Sequence, residues 1–297
     1  MRQWVVLSGK GGTGKTTVAG ALAHLAAQER QLVLADADVD AANLELLLLP
    51  TVVESHEFAA GKRAHIDPDA CTACGRCAEV CRFEAIVGRD GVWRVDPVAC
   101  EGCAACCYAC PAEAVRMVDE PSGRWFRSET RYGPLYHARL YAGQENSGKL
   151  VTQVKQSARL EGVRRKADLL LVDGPPGIGC PVIAATTGAD LALLVVEPSV
   201  SGVHDLERIL STTRHFGVPA VVCLNKADIH PAQAERVRAV CREQGAPLVG
   251  SVPFDTVVTE AMVHRQPVTA YRPGPVTEAL QALWCQLRER LDGEGKQ

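Results

Sequence analysis

Short, almost uninterrupted apolar runs recur near both ends of this chain, separated by longer stretches whose apolar residues repeat with helical period. Trp4–Leu7, Gln31–Ala35, Leu169–Val172, Leu191–Val196, Ala220–Leu224 and Leu248–Gly250 are the runs, and their length and uniform hydrophobicity predict parallel strands buried on both faces. Thr17–Gln28, Val203–Phe216 and Pro231–Glu243 predict helices between them. Strand, loop, helix, strand at the start of the chain is a βαβ unit, so the fold class is α/β with a mostly parallel, doubly wound sheet. A last helix carries Val276, Leu280, Leu283, Trp284, Leu287 and Leu291 on one face. Its flank mixes signs, Arg288-Glu289-Arg290 followed by Asp292 and Glu294. A basic polar face is missing, so the helix is expected to pack on the sheet rather than on a membrane.

Between Gly61 and Asp119 this pattern stops and a repeat begins. Cys71, Cys74, Cys77 and Cys81 return as Cys100, Cys103, Cys106 and Cys110, each 29 positions on. Asp67-Pro68 returns as Asp96-Pro97, and Glu84-Ala85-Ile86 as Glu113-Ala114-Val115. A supersecondary unit duplicated about a pseudo-two-fold axis accounts for this. The expected organisation is one domain over residues 1–60 and 120–297, with an inserted domain over residues 61–119.

Composition adds three points. Aromatic residues are scarce, at 5%, which suits a parallel sheet better than an all-β sandwich. A net charge of −3 offers no reason to expect nucleic acid as a partner. No apolar run approaches a membrane span, and Met1-Arg2-Gln3 leads straight into a strand without a leader, so a cytoplasmic location is expected. Nine of the 13 cysteines fall between Cys71 and Cys110. In that compartment clustered thiols point to metal rather than disulfides.

Gly9-Lys10-Gly11-Gly12-Thr13-Gly14-Lys15-Thr16 satisfies the phosphate-loop pattern G-x-x-x-x-G-K-[ST] between a strand and a helix. Glycines let backbone N–H groups of Gly11 to Thr17 turn toward phosphate oxygens, and the helix that follows adds its positive end. Lys15 is then placed to reach the β- and γ-phosphates and Thr16 to bind Mg²⁺. Asn225-Lys226-Ala227-Asp228 follows a later strand, where base recognition is expected. The string N-K-x-D reads guanine in GTPases, so GTP stays beside ATP as a possible nucleotide.

Lys10 within Lys10-Gly11-Gly12-Thr13-Gly14-Lys15-Thr16-Thr17 makes the loop resemble the deviant phosphate loop of the MinD/ParA/Mrp and nitrogenase iron-protein superfamily. That resemblance implies an ATPase acting as a nucleotide-dependent homodimer, in which Lys10 contacts nucleotide on the other subunit, much as an arginine finger does. Asp36-Ala37-Asp38-Val39-Asp40-Ala41-Ala42-Asn43 looks like the family's first switch. The likeness makes Asp38 the carboxylate that positions water and puts Asp36 near Mg²⁺, with Asp40 standing where glycine is frequent. Asp173-Gly174-Pro175-Pro176-Gly177 resembles the second switch, with Asp173 holding the Mg²⁺ water shell and Gly177 near the γ-phosphate. Asn225 and Pro253 would frame adenine.

C-x2-C-x2-C-x3-C, present twice, resembles bacterial two-cluster ferredoxins. The resemblance implies two [4Fe–4S] clusters, one held by Cys71, Cys74, Cys77 and Cys110, the other by Cys100, Cys103, Cys106 and Cys81. Zinc in tetrahedral sulfur sites is the metal alternative. Arg82 stands where the second repeat has Pro111. Cys107 is expected to be no ligand, Cys180 to be a small buried residue at a helix start, and Cys223, Cys241 and Cys285 to lie in the core. Glu145 to Leu150 resembles a segment of ferredoxin-bearing ATPases of this group, so Asn146 and Lys149 are candidates for the dimer interface; a helix start capped by Asn146 or Ser147 fits as well.

Taken together, the likeness implies an ATP-hydrolysing iron–sulfur protein, slow without its partner. Its role would be in metallocluster assembly or delivery to an unknown client. ATP-gated electron transfer and a redox-sensing positional switch are the alternatives.

Overall fold

The structure is a computed structural model that describes residues 1–89, 91–141 and 147–293. In chain order the elements are β1 (Arg2–Ser8), α1 (Lys15–Ala26), β2 (Leu32–Asp36), α2 (Leu44–Leu48) and β3 (Thr51–Ile66). Next come α3 (Arg76–Glu79), β4 (Ile86–Arg89), β5 (Val92–Val95), α4 (Ala105–Ala109), β6 (Val115–Thr130) and β7 (Gly133–Leu140). Then follow α5 (Ser147–Arg165), β8 (Leu169–Pro176), α6 (Cys180–Thr186), β9 (Leu191–Val196), α7 (Val200–His215) and β10 (Ala220–Asn225). The chain closes with α8 (Pro231–Glu243), β11 (Leu248–Val252), α9 (Val257–Val263), α10 (Val268–Tyr271) and α11 (Pro275–Gly293). It divides into two compact units. The first comprises Met1–His56, Arg124–Leu140 and Ser147–Gln297; the second is built on Glu57–Gly123.

The first unit is built on a sheet of order β11-β10-β9-β1-β8-β2-β7-β6-β3. Every pair from β11 to β7 runs parallel. Each predicted strand forms within a residue or two of its expected start, because a short apolar run is buried only when both faces are covered. Trp4, Val6, Leu34, Leu169, Leu171 and Leu193 join α1 and α11 in one core. Their neighbours Val5, Leu7, Leu170, Val172 and Leu194 are equally buried and alternate to the opposite face. The last helix packs as expected, with Val276, Leu280, Leu283, Trp284 and Leu287 inward. Trp284 meets Trp4 edge-on, ring centroids 6.2 Å apart.

Strands β3, β6 and β7 are absent from the sequence reading. Thr51 to Glu57 of β3 are exposed at the sheet edge, and β6 carries Pro121 and Gly123, so neither shows an apolar run. Two cysteine expectations are corrected. Cys285 is exposed, since it follows Trp284 by one residue and turns about 100° away from the packed face. Cys180 does begin α6, but it is exposed rather than buried, because the first residue of that helix projects before the packed face starts at Val182. Glu145 and Asn146 lie outside the described residues; Ser147 opens α5.

Beside β8, α5 and α6 are joined by a buried cation. Lys155 of α5 donates to the carbonyls of Ala185 (3.1 Å) and Thr187 (2.6 Å), and also to that of Ala184. These are among the carbonyls that the end of α6 leaves without intrahelical partners. Burial pushes the Lys155 ammonium down to about 8. Lys155→Met keeps the stem and removes the three bonds, and is expected to destabilise the chain by about 1–3 kcal/mol. Chemical denaturation, with the midpoint shifted and the slope unchanged, checks this.

In the second unit the sequence repeat is also a repeat of backbone. Positive φ angles occur at Ala73 and Gly102, Gly75 and Ala104, and Glu84 and Glu113, pairs that share the 29-residue offset. Each half locks the other. The Asp67 N–H donates to the Ala114 carbonyl at 2.8 Å, and the Asp96 N–H donates to the Ala85 carbonyl at 2.7 Å. Asp67 and Asp96 each also cap their own turn, accepting from the N–H of Asp69 and of Val98. Gly102 admits no side chain, since a Cβ there would stand 2.1 Å from the Lys62 carbonyl oxygen.

Candidate functional site

The loop between β1 and α1 forms one wall of a cleft of about 730 Å³ at the carboxyl ends of the parallel strands. Ligands bind at that edge of open α/β sheets. Gly11, Gly12, Thr13, Gly14, Lys15, Thr16 and Thr17 all line it, as do Asp38, Asp40, Asn225 and Pro253. Gly14 has φ +92, and a Cβ there would lie 2.1 Å from Asn225 Nδ2; only glycine fits both the turn and the neighbour. The first turn of α1 begins at Lys15, so its unpaired N–H groups face the loop.

Lys15 is buried beneath the cleft. Its Nζ donates to Asp173 Oδ1 at 2.9 Å and lies 3.4 Å from Asp38 Oδ2. Strand register sets this meeting, because Asp36 of β2 pairs directly with Asp173 of β8. Asp36 accepts from the N–H groups of Asp38 (3.1 Å) and Leu44 (3.0 Å), and it is fully buried. Burial, with the Asp173 charge adding to it, pushes the Asp36 carboxyl well above the usual carboxylate range. Burial also raises Asp38, against the pull of Lys15. For Lys15, burial works downward, and Asp173 and Asp38 together outweigh it and raise the ammonium. Asp173 Oδ2 and Thr13 Oγ1 are buried without a hydrogen-bond partner. An acceptor orphaned beside a phosphate loop suits a hydrated divalent cation. Neither Asp36 nor Asp173 lines the cleft itself.

The remaining predicted residues divide. Asn225 donates to the Thr13 carbonyl (2.7 Å) and so braces the loop. Lys226 donates to the Gly12 carbonyl (3.0 Å) and to Glu197 Oε2 (2.9 Å). Asp228 is exposed, and its Oδ1 accepts from the Phe254 N–H at 2.7 Å. Lys10 stays outside the cleft, with its Nζ 2.6 Å from Glu197 Oε1. Gly177 has φ 91, and its N–H donates to the Ser8 carbonyl. Glu197 is the residue that sequence reading missed; it follows an apolar strand with no motif to mark it.

In the second unit Cys81, Cys100, Cys103 and Cys106 line one pocket with Ala64, Phe83, Ala85 and Ile86. Cys77 and Cys106 are buried in a shared core with Ile66, Ile86 and Val115, against which Cys71 and Cys110 pack. Burial pushes the Cys77 thiol up, and Cys71 and Cys110 add to the effect. Cys106 is raised by burial and then by Cys100 and Cys103. The fourth cysteine of each repeat therefore stands with the first cysteines of the other. Cys107 instead donates from Sγ to the Val115 carbonyl at 3.0 Å. Among the described residues no three His, Cys, Asp or Glu side chains converge on a single ion. The thiolates of a four-iron cubane each hold a separate iron.

Fold, loop and cleft together define an α/β nucleotide-binding protein of the P-loop class. The CobQ/CobB/MinD/ParA nucleotide binding domain matches residues 4–268, and the chain belongs to that family. It is 32% identical over 284 residues to the uncharacterized protein MJ0578 of Methanocaldococcus jannaschii, covering 96% of this chain and 95% of that one. A cytosolic Fe-S cluster assembly factor Nubp1 homolog of Drosophila willistoni is 28% identical over 145 residues, 42% of this chain and 46% of that protein. Among solved structures, the septum site-determining protein MinD of Pyrococcus horikoshii, complexed with Mg-ADP, superposes with a TM-score of 0.60 at 19% identity. The match covers 100% of this chain and 99% of that one. Among the described residues, no helix is long and apolar enough to cross a membrane.

Proposed function

We propose that the chain is an ATP-hydrolysing, nucleotide-switched dimer that carries two [4Fe–4S] clusters and acts in metallocluster assembly or delivery. The observation that carries the hydrolytic part is the Lys15–Asp38 pair lining the cleft, with Asp173 buried behind it and bonded to Lys15. Lys15 would hold the β- and γ-phosphates, and Asp38 would orient the attacking water. Thr16, with Asp173 behind it, would hold the Mg²⁺ that neutralises phosphate charge. Lys10, which does not line its own cleft, would serve nucleotide on a second protomer. Adenine suits the base site better than guanine, because Asp228 is turned to the Phe254 N–H and lies outside the cleft lining.

The second unit, Glu57–Gly123, is read as the ferredoxin-like module. Cys71, Cys74, Cys77 and Cys110 would hold one cluster and Cys100, Cys103, Cys106 and Cys81 the other. Such clusters, when bound, store and pass single electrons. Similarity to the Nubp1 homolog favours the assembly role. The reciprocal Asp67–Ala114 and Asp96–Ala85 bonds favour clusters that stay in place, and so support ATP-gated electron transfer as the second reading.

Anaerobic incubation of the loaded chain, its clusters reduced with dithionite and the excess removed, with an apo-acceptor or an acceptor dye, with and without ATP, separates the two. Iron appearing in the acceptor only with ATP supports delivery. Iron retained while electrons reach an acceptor dye in an ATP-dependent manner overturns delivery in favour of electron transfer. Lys10→Ala is expected to lower phosphate release by about 1,000-fold or more, in the manner of a lost arginine finger. Nucleotide affinity, measured by titration, should change by no more than about threefold.

A further inference from the structure

Glu197 follows β9 and joins two lysines beside the phosphate loop. Its Oε1 lies 2.6 Å from Lys10 Nζ, and its Oε2 accepts from Lys226 Nζ at 2.9 Å. Lys10 also donates to Ser199 Oγ (3.1 Å) and Ser201 Oγ (2.9 Å). The three N–H bonds of its ammonium therefore all have acceptors within this protomer. Lys226 is tied in turn to the Gly12 carbonyl at 3.0 Å and has φ 54, a backbone that a non-glycine residue keeps only when its surroundings fix it.

We propose that Glu197 is a positioning residue that acts through Lys10, holding it on its own protomer until nucleotide-dependent pairing draws it to the partner's phosphates. This rests on the reading of Lys10 given under the proposed function. The geometry makes the contact reversible. When Lys10 leaves, Glu197 remains paired with Lys226, so no half-buried carboxylate is left uncompensated. Lys10 is the more exposed member, 32% against 16% for Glu197, and is the one able to swing. Burial pushes the Glu197 carboxyl up, but Lys10 and Lys226 outweigh it and hold it below the ordinary range, so it carries its charge at neutral pH. A contact of this exposure biases an equilibrium by at most about fivefold per protomer, counted twice in a dimer, and does not lock it.

The test uses the full chain with its clusters loaded, and wild type, Glu197→Gln, Ser201→Ala, Lys10→Ala and the Lys10→Ala/Glu197→Gln double variant. Sedimentation in ATP gives the protein concentration at half-dimerisation, and phosphate release is followed across the same range. Glu197→Gln should lower the dimerisation midpoint roughly three- to tenfold and raise phosphate release per chain in proportion at low protein concentration. At saturating protein the two chains should converge. Ser201→Ala, which removes one tether without touching Lys226, should move the midpoint the same way by about two- to threefold. The double variant should gain nothing in hydrolysis over Lys10→Ala. Unmoved midpoints in Glu197→Gln and Ser201→Ala, with hydrolysis lost in Lys10→Ala, overturn the role of Glu197 alone. If Lys10→Ala dimerises and hydrolyses like wild type, the reading of Lys10 itself has failed.

Discussion

Lys15→Ala is expected to lower nucleotide-dependent phosphate release by about 100- to 1,000-fold, the range found when a charge-stabilising donor is lost. The same change should weaken the fold. Lys15 is 6% exposed and is the cation among Asp36, Asp38 and Asp173. Removing it leaves buried carboxylates without compensation, at a cost of about 3–5 kcal/mol.

The pH dependence follows from the signs of the shifts. An ammonium whose folded pKa is raised above its unfolded value of 10.5 gives its full stabilisation below that value, so all of it is lost at pH 7 in the variant. Asp36 works in the opposite sense. Its folded pKa lies well above 3.8, so ionising it costs stability as pH rises past that point, and lowering the pH relieves the cost. The melting temperature of Lys15→Ala should therefore fall furthest below wild type at neutral pH and recover part of the gap on mild acidification. Calorimetry at several pH values, beside a phosphate-release assay, measures both effects. A variant that melts like wild type at pH 7 would mean that the carboxylates are neutralised in some other way.

Cys81→Ala should cost the chain one whole cluster, and the cluster lost should be the one held by the other repeat. Iron content is expected to fall from about eight to about four per chain. The reason is the interlock: Asp96 bonds to Ala85, just past Cys81, which delivers that cysteine to the pocket of Cys100, Cys103 and Cys106. Double variants make the assignment decisive. Adding Cys103→Ala should remove no further iron, since both changes strike one site, whereas adding Cys74→Ala should remove nearly all of it. Ligation within each repeat predicts the reverse pairing. Because cluster binding contributes to folding, the single variant should also become more sensitive to protease across residues 57–123. Iron and sulfide analysis with visible absorbance decides between the two patterns.

The phosphate loop, the core strands and the cysteine spacing were legible because each is set over a few consecutive residues. Gly14 must turn, Lys15 must follow it, and thiols spaced by three positions on a tightly turning loop are brought close together by local chain geometry. A short run such as Leu191–Val196 is buried wherever it pairs. Periodicity likewise marked α11, and the same period turns Cys285 away from the face of Leu283, Trp284 and Leu287.

Other features depended on partners distant in sequence. Asp36 meets Asp173 only through the register of β2 on β8, and burial between packed elements, with the Asp173 charge added by that register, raises its carboxyl. Glu197 and Lys155 carry no local signature at all; one gains its lysines and the other its carbonyls from segments brought alongside by the sheet. The strands β3 and β6 escaped for a related reason. Exposed residues, Pro121 and Gly123 give no local preference for a strand, and the neighbouring backbone supplies the hydrogen bonds that make them one. Sequence alone determined the chemistry that a turn of chain can hold. The tertiary structure decided which charges face one another, because burial and pairing energies exist only once distant segments share the same low-dielectric space.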